Sequence, residues 1–588
     1  MKYLWLVLAL LLPANSWAAC DCGSTDSANP CTGQSISVTV PKTTGTNTIN
    51  GNYSYAFNSG GGDARCGQFA DGSYWVAPAA GQSTVTITGI TSTSHSGLVT
   101  ADTDPVLESM GLLDGSSGYG NYNADENIVP DLPISYSGIN SIVTAIQRNE
   151  ATEGACGTAA TEGECAHSYN ILTVLSSVPE NAGSTVIRPN ATGETKVMYT
   201  WDNFDLTKIP SLSYLIGTNS AGLTAATERW RHNTEIFGMK TADSTAGYSE
   251  GGRAFRASAI IDDYGAGMAR TFYSDVAYMF SDDHTIDAKK PVLAAMLAYG
   301  HDLYRSVFNP PSGKDRFWGQ GATQSAGKFP PVALFGALLD DATVRANLAG
   351  ESSHLTEYGW THGPHELGQI QWGTASKPLW GDAKYSSVIN DRSSYWGALF
   401  KRKYYDTAEG TGTEPSNREG YDPHGYIDGP PGKPNTNYFY STYDGQHGLA
   451  AMMLLMPDVC DIVNYDRLIT FIDQKRTNGR DTADDPCVTP DTRESASCEP
   501  YPSGGGCLYY GVTWGPDPGN PGDCIKTATP PYTQVGRFAS LDGEAISTGS
   551  YAPAQMVNNW ATIRGSSVTC NHATGISRRY AVRAVTNE

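Results

Sequence analysis

Between residues 33 and 200 apolar and polar positions alternate in short runs, the signature of strands with one buried face. Ser35–Val40, Tyr53–Phe57, Ser73–Ala77 and Ser83–Gly89 are rich in Val, Ile, Thr and aromatics. Asn52, Gly60-Gly61-Gly62, Asp71-Gly72 and Gly81 punctuate them as turns. Ile171–Leu175, Thr185–Ile187 and Lys196–Trp201 repeat the pattern, so an antiparallel sandwich is expected. The stretch 101–135 is rich in Gly, Asn, Asp and Pro and reads as a long loop.

After Asp202 the period changes. Val292, Leu293, Met296, Leu297, Leu303, Tyr304, Val307 and Phe308 recur at helical spacing until Asn309-Pro310-Pro311 stops them. Val332–Leu339 predicts a second helix and Ser393–Tyr405 a third. Leu449–Met456 and Tyr465–Ile472 predict a close pair around Pro457-Asp458. From Gly479 onward the chain is rich in Cys, Pro and Gly, as in a disulfide-tied extension wrapped on a helical body. No fixed internal repeat or heptad pattern occurs.

Composition places this multidomain α+β reading in a compartment. Met1-Lys2, the apolar Leu4–Leu12 run and Ser16-Trp17-Ala18 form a signal peptide over residues 1–18, with cleavage after Ala18. Trp17 disfavours a lipoprotein anchor on Cys20. No later segment reaches the ~18 apolar residues of a membrane span. The expectation is a secreted or periplasmic protein, with no membrane partner once the signal is removed. The 12 cysteines cluster toward the two ends, as disulfides in an oxidising compartment would. Short loops favour Cys156–Cys165 and Cys498–Cys507 as pairs, whereas Cys20-Asp21-Cys22 is too sparse for a metal site. A formal charge of −21 argues against nucleic acid as a partner. Residues 19–200 then form the β-sandwich-like domain, 201–476 the helical domain and 477–588 the Cys-rich extension. The oligomeric state is open.

Seven of the 11 histidines lie between 284 and 447, and three of four chemistry-bearing loops there pair His with Tyr, a carboxylate or both. One loop carries Trp318 and leads to Lys328. A second runs from Trp360 through His365, Glu366 and Gln369 to Trp372. A third holds Arg418, Tyr421 and His424, and a fourth runs from Tyr438 through Tyr443 to His447. His362-Gly363-Pro364-His365-Glu366 contains ligand types, but Gly363-Pro364 prevents a regular helix from presenting both histidines on one face, so no metal site is assigned. Each residue also has a structural reading: His447 could pack at a helix start, and the tyrosines and tryptophans could be core. Nucleophile-elbow, Walker, dinucleotide and haem motifs are all lacking, and no cofactor is required. Asp-rich turns such as Asp282-Asp283 offer oxygens for a structural Ca²⁺.

The run Cys66–Val76 with Val85-Thr86-Ile87 resembles a segment of uncharacterised secreted bacterial proteins. Gly327-Lys328-Phe329-Pro330, Gly448–Met453 and Tyr465–Asp473 resemble further parts of that group, and the likeness covers most of 60–565. It implies an N-terminal β module on an (α/α) toroid, the architecture of alginate- and heparin-lyase-type enzymes. Ala322-Thr323-Gln324 stand where that group leads one to expect a histidine, so the 319–328 loop is not assigned catalysis.

On this reading the substrate is a uronic-acid polysaccharide cleaved by β-elimination. A donor must neutralise the carboxylate, a base must take the C5 proton, and an acid must protonate the leaving oxygen. His365, His424, His447, Tyr421 and Tyr443 supply acids and bases. Gln369, Lys328 and Arg418 supply donors, and Trp318, Trp360 and Trp372 supply sugar-stacking faces. A glycoside hydrolase on the same scaffold would instead need two carboxylates, with Glu366, Glu419, Asp422 and Asp444 available. A non-catalytic glycan-binding protein is the third reading.

Overall fold

The computed structural model describes residues 22, 31–41, 43–44, 47–48, 50–92, 99–103, 125, 127–147, 166–193, 195–232, 240–241, 265–308, 316–317, 327–352, 370–371, 426–427, 436–465, 468–469, 472, 514–516, 524–526 and 553–565. The signal peptide, the Cys156–Cys165 and Cys498–Cys507 pairs and the 393–405 helix fall outside these residues.

The N-terminal region contains β1 (Cys31–Gly33), β2 (Ser35–Val40), β3 (Gly51–Asn58), β4 (Ala64–Gln68), β5 (Tyr74–Ala77) and β6 (Val85–Ser92). It continues with β7 (Val99–Thr103), β8 (Ile134–Tyr136), β9 (Asn140–Gln147), β10 (Ala166–Val174), β11 (Val186–Ile187) and β12 (Tyr199–Thr200). One sheet has the order β1-β4-β5-β10-β9-β7 and the other β8-β6-β3-β2. Alternation makes β2 bury Ile36, Val38 and Val40 while exposing Ser35, Ser37 and Thr39. These residues meet Tyr53, Tyr55, Phe57, Val85 and Ile87 of their own sheet. They also meet Val76, Ile142, Ile146, Leu172 and Val174 of the other, in one shared core. Two hydrogen bonds between side chains tie the layers: Tyr53 OH with Ser168 Oγ at 2.7 Å, and Asn170 Nδ2 to Tyr55 OH at 2.9 Å.

The sandwich is not wholly antiparallel, because β10 runs parallel to β5 through Leu172–Tyr74, Thr173–Trp75 and Val174–Val76. Nor is 101–135 simply a loop: Val99–Thr103 pairs with β9, and Ile134–Tyr136 closes the edge of the second sheet. Cys22 is bonded to Cys66, joining the start of the chain to β4 and removing Cys22 from any metal role.

The helices are α1 (Ser220–Arg231), α2 (Gly265–Phe280), α3 (Ile286–Phe308), α4 (Phe329–Leu338) and α5 (Ala342–Ser352). Later come α6 (Thr436–Leu455), α7 (Pro457–Val463), α8 (Ala554–Asn558) and α9 (Trp560–Gly565). Helix α3 ends at Phe308, directly before the Asn-Pro-Pro stop. Helix α4 opens with Pro330-Pro331, whose missing N–H groups have no intrahelical role in a first turn. All ten of its residues are buried, as befits a helix apolar on every side. It packs against α2, α3, α5 and α7; α1 lies on α3, and α6 joins α7 to α2, α8 and α9.

Two boundaries differ from the expectation. Pro457-Asp458 is no turn between helices: Pro457 starts α7, which stops at Asn464 in the left-handed conformation (φ 50°). The Tyr438–His447 stretch is helical rather than a loop, as part of α6. Gly448 reads as a helix breaker, yet a Cβ there would lie 2.2 Å from Tyr273 Cδ2 of α2. Close approach of the two helices outweighs glycine's poor propensity.

Candidate functional site

Of the residues proposed for catalysis and binding, His365, Glu366, Tyr421, His424, Trp318, Trp360, Gln369, Trp372 and Arg418 lie outside the described residues. Described backbone adjoins only Trp318, Gln369 and Trp372, and begins again two residues after His424. Ile370–Gln371, immediately after Gln369, pairs antiparallel with Tyr426–Ile427, two residues after His424. Gln371 stands opposite Tyr426, and Ile370 opposite Ile427. Strands in such a ladder are about 4.8 Å apart. The Tyr426–Ile427 strand also contacts α6, which carries positions 443 and 447. Backbone from the second, third and fourth chemistry-bearing segments therefore meets in one place. Positions 443 and 447 are one helical turn apart on α6. The first segment has a separate anchor, Arg316–Phe317 paired with Lys240–Thr241 and touching α3.

His447 is 1% exposed, and its ring lies 4.6 Å from Trp560 of α9, tilted by 60°. It sits inside a long helix rather than at a helix start, and its burial fits a packing role. Lys328 is 0% exposed at the start of α4. For Ca²⁺, no group of three or more His, Cys, Asp or Glu able to hold a metal occurs among the described residues. Asp283 instead accepts from Gly217 N, and that bond chiefly lowers its pKa.

A second concentration of ionisable groups was not anticipated. It lies where the β4–β5 hairpin meets the helices. The hairpin tip is held by Phe69 N to Ser73 O and Gly72 N to Phe69 O. Asp71 Oδ1 accepts from Ser73 N and Oγ at 3.0 and 2.6 Å, fixing the carboxylate by a local turn. Gly72 has φ +82°, and a Cβ there would come within 2.6 Å of Arg231 Nη1 at the end of α1. Ala70 N donates to Val186 O, which brings β11 and the following Arg188 alongside.

Arg188 is fully buried and grips Asp302 of α3 with both terminal nitrogens, Nη1 to Oδ1 at 3.0 Å and Nη2 to Oδ2 at 2.6 Å. Ala191 N adds a bond to Asp302 Oδ1 at 2.6 Å, and Thr192 Oγ1 reaches Asp302 O at 2.9 Å. Asp71 Oδ2 stands 3.9 Å from Arg188 Nε. Burial pulls the Arg188 pKa down, but the charge and hydrogen bonds of Asp302 outweigh it and leave the guanidinium more firmly protonated than usual. The bidentate pair compensates the buried charge through both terminal nitrogens, while Nε has no hydrogen-bond partner among the described residues.

Two buried histidines flank the pair. His232, next after α1, receives Arg231 Nε on its Nε2 at 3.1 Å, with Glu228 Oε2 also 3.1 Å from that nitrogen. Burial, then the Arg231 charge, pushes its pKa down to about 4. His301 of α3 receives Arg305 Nε on its Nε2 at 3.1 Å. Its ring stacks on Phe335 at 5.1 Å and meets Tyr199 edge-on at 5.0 Å. Burial, then Arg305, Arg188 and Lys196, drive its pKa well below the ordinary imidazole value. One local signal for these sites was present in the sequence: Glu228-x-x-Arg231-His232 and His301-x-x-x-Arg305 place their members one helical turn apart. The Arg188–Asp302 partnership spans 114 residues and left no such trace.

No protein-family model, curated protein or solved structure matches this chain.

Proposed function

We propose that the chain is an exported polysaccharide lyase that cleaves uronic-acid glycans by β-elimination. The observation that carries this reading is the pairing of Ile370–Gln371 with Tyr426–Ile427 against α6. It sets the backbone between Gln369 and Trp372 against the strand that begins two residues after His424, in contact with the helix that bears Tyr443. Histidine and tyrosine are the proton-transfer groups a β-elimination needs, and the segments rich in them flank this strand pair and α6 in sequence. The bonded Cys22–Cys66 pair suits the oxidising compartment of an exported protein. The toroid arrangement of the helices is part of the same proposal.

In the reaction, Gln369 or Arg418 neutralises the substrate carboxylate, which acidifies the C5 proton. A histidine or ionised tyrosine removes that proton. The electron pair forms the C4–C5 double bond as the C4–O bond breaks, and a tyrosine or histidine protonates the departing oxygen. His365, His424, Tyr421 and Tyr443 are assigned to these transfers. His447, enclosed beside Trp560, is assigned to positioning on α6.

The test is digestion of alginate, pectate, glycosaminoglycans and neutral glucans, followed in the near ultraviolet, where the conjugated double bond absorbs. His424→Ala and Tyr443→Phe are each expected to lower the rate about 10²–10⁴-fold. Glu366→Gln is expected to do much less. New reducing ends without absorbance, lost on Glu366→Gln, would replace the lyase with a hydrolase. Glycan binding with neither product would leave a binding protein.

A further inference from the structure

We propose that the contact between the β4–β5 hairpin and the helices is an acid-sensitive latch. In it His232 and His301 must be neutral for the hairpin tip and the Arg188–Asp302 pair to stay docked. The inference is independent of the lyase reading.

The geometry imposes the requirement. In each histidine, Nε2 is the acceptor of an arginine Nε–H, from Arg231 in one case and Arg305 in the other. An imidazole accepts at Nε2 only through a lone pair, so the proton of the neutral ring sits on Nδ1. Both Nδ1 atoms are buried and have no hydrogen-bond partner among the described residues. A second proton has one place to go, Nε2, and there it turns an acceptor into a donor facing another donor. Arg231 Nε and Arg305 Nε then lose their acceptors, and Arg231 is held only through Nη2 to Glu228 Oε2 at 2.6 Å.

What those arginines hold explains why the effect reaches the junction. Arg231 Nη1 lies against Gly72 at the hairpin tip. Arg305 shares α3 with Asp302, the anchor for Arg188, Ala191 and Thr192. The charges facing His232 are Glu228 and Arg231 from its own helix and Asp71 from the hairpin. Those facing His301 are Arg305 from its own helix, Arg188 from the segment after β11, and Lys196. The rings of Phe335 and Tyr199 cover its remaining sides and add no charge. Glu228 could accept the new proton on His232 Nε2 at 3.1 Å, but only as Arg231 Nε withdraws. Around His301 the three groups named are all cations, so a fourth positive charge meets repulsion.

The direction with pH follows from linkage. Both imidazoles titrate below their unfolded value of about 6.5. The unfolded chain therefore binds these protons first, and the contribution of both histidines is complete above about pH 6.5. It declines as pH falls toward the native value, about 4 for His232. Between pH 6.5 and 5 ordinary carboxylates remain ionised, so this window isolates the histidines. Each such group shifts the folding equilibrium about tenfold per pH unit in the window, and two shift it about a hundredfold.

The experiment uses the full chain with its disulfides intact. Denaturant midpoints are recorded from pH 7.5 to 5.0, and amide exchange, corrected for the intrinsic rate, is compared at pH 7.0 and 5.5. The expected result is a flat midpoint above pH 6.5, a steep fall below it, and faster exchange concentrated in peptides covering 69–73, 188–192 and 228–232. His232→Gln with His301→Gln keeps an acceptor near each Nε2 but removes the titration, and should flatten most of the fall between pH 6.5 and 5. The exchange measurement on the unaltered chain stands if that double variant does not fold. A midpoint that does not move between pH 6.5 and 5, a fall that survives in the folded double variant, or exchange that rises evenly over the molecule would each overturn the latch.

Discussion

The two sheets and the helical body bury their apolar residues by different rules. A strand such as β2 has one face to spare, with Ser35, Ser37 and Thr39 in solvent and Ile36, Val38 and Val40 inside. Helix α4 has none to spare, since every one of its residues is enclosed. The sandwich thus concentrates its packing on half of its positions, while the centre of the helical body has no tolerant site. Between them lies a third kind of contact, ionic and fully buried, whose strength depends on every partner being present.

The largest break in this comparison is expected at the ionic contact. Asp302→Ala leaves the Arg188 guanidinium buried without its anion and should lower stability by about 3–5 kcal/mol, read as a loss in urea-unfolding free energy. Next comes the helical body. Gly448→Val drives new atoms into the Tyr273 ring and should cost about 1–3 kcal/mol in the same assay, with no compensating gain from better helix propensity. Smallest is the solvent face of the sandwich. Ser37→Thr should stay within about 0.5 kcal/mol, and a larger loss would mean that β2 is covered on both faces.

What could be read from the sequence follows the same division. β2 was predicted with its observed bounds because period-two alternation is visible wherever one face is wet. β9 was missed because it is buried on both faces: Ser141 and Thr144 lie inside with Ile142, Val143 and Ile146, so no alternation remains. Helix α3 announced itself by spacing and by its proline stop. The first half of α6 did not, since its Tyr, Asp and Gly residues resemble a loop and only contact with α2 rationalises Gly448. For the candidate site, sequence pointed to segments rich in His and Tyr, and the strand pairing joins two of them beside α6. It could not foresee that Lys328 and His447 are enclosed, because burial of a polar residue depends on distant chain. The junction network stayed hidden for the same reason: nothing local says which aspartate, among many, will meet Arg188.

The last described helices close a long circuit. Gln555 of α8 donates to Ile216 O and accepts from Ile216 N, across 339 residues. Met556, Trp560 and Ile563 fill the same core as α2 and α6. During synthesis the ribosome must therefore pass residue 563 before that core can be sealed, and contacts of such long range form slowly. Until then the apolar faces of α2 and α6 lack part of their cover. A chain in that condition exposes apolar surface and is prone to aggregate until residues 553–565 dock.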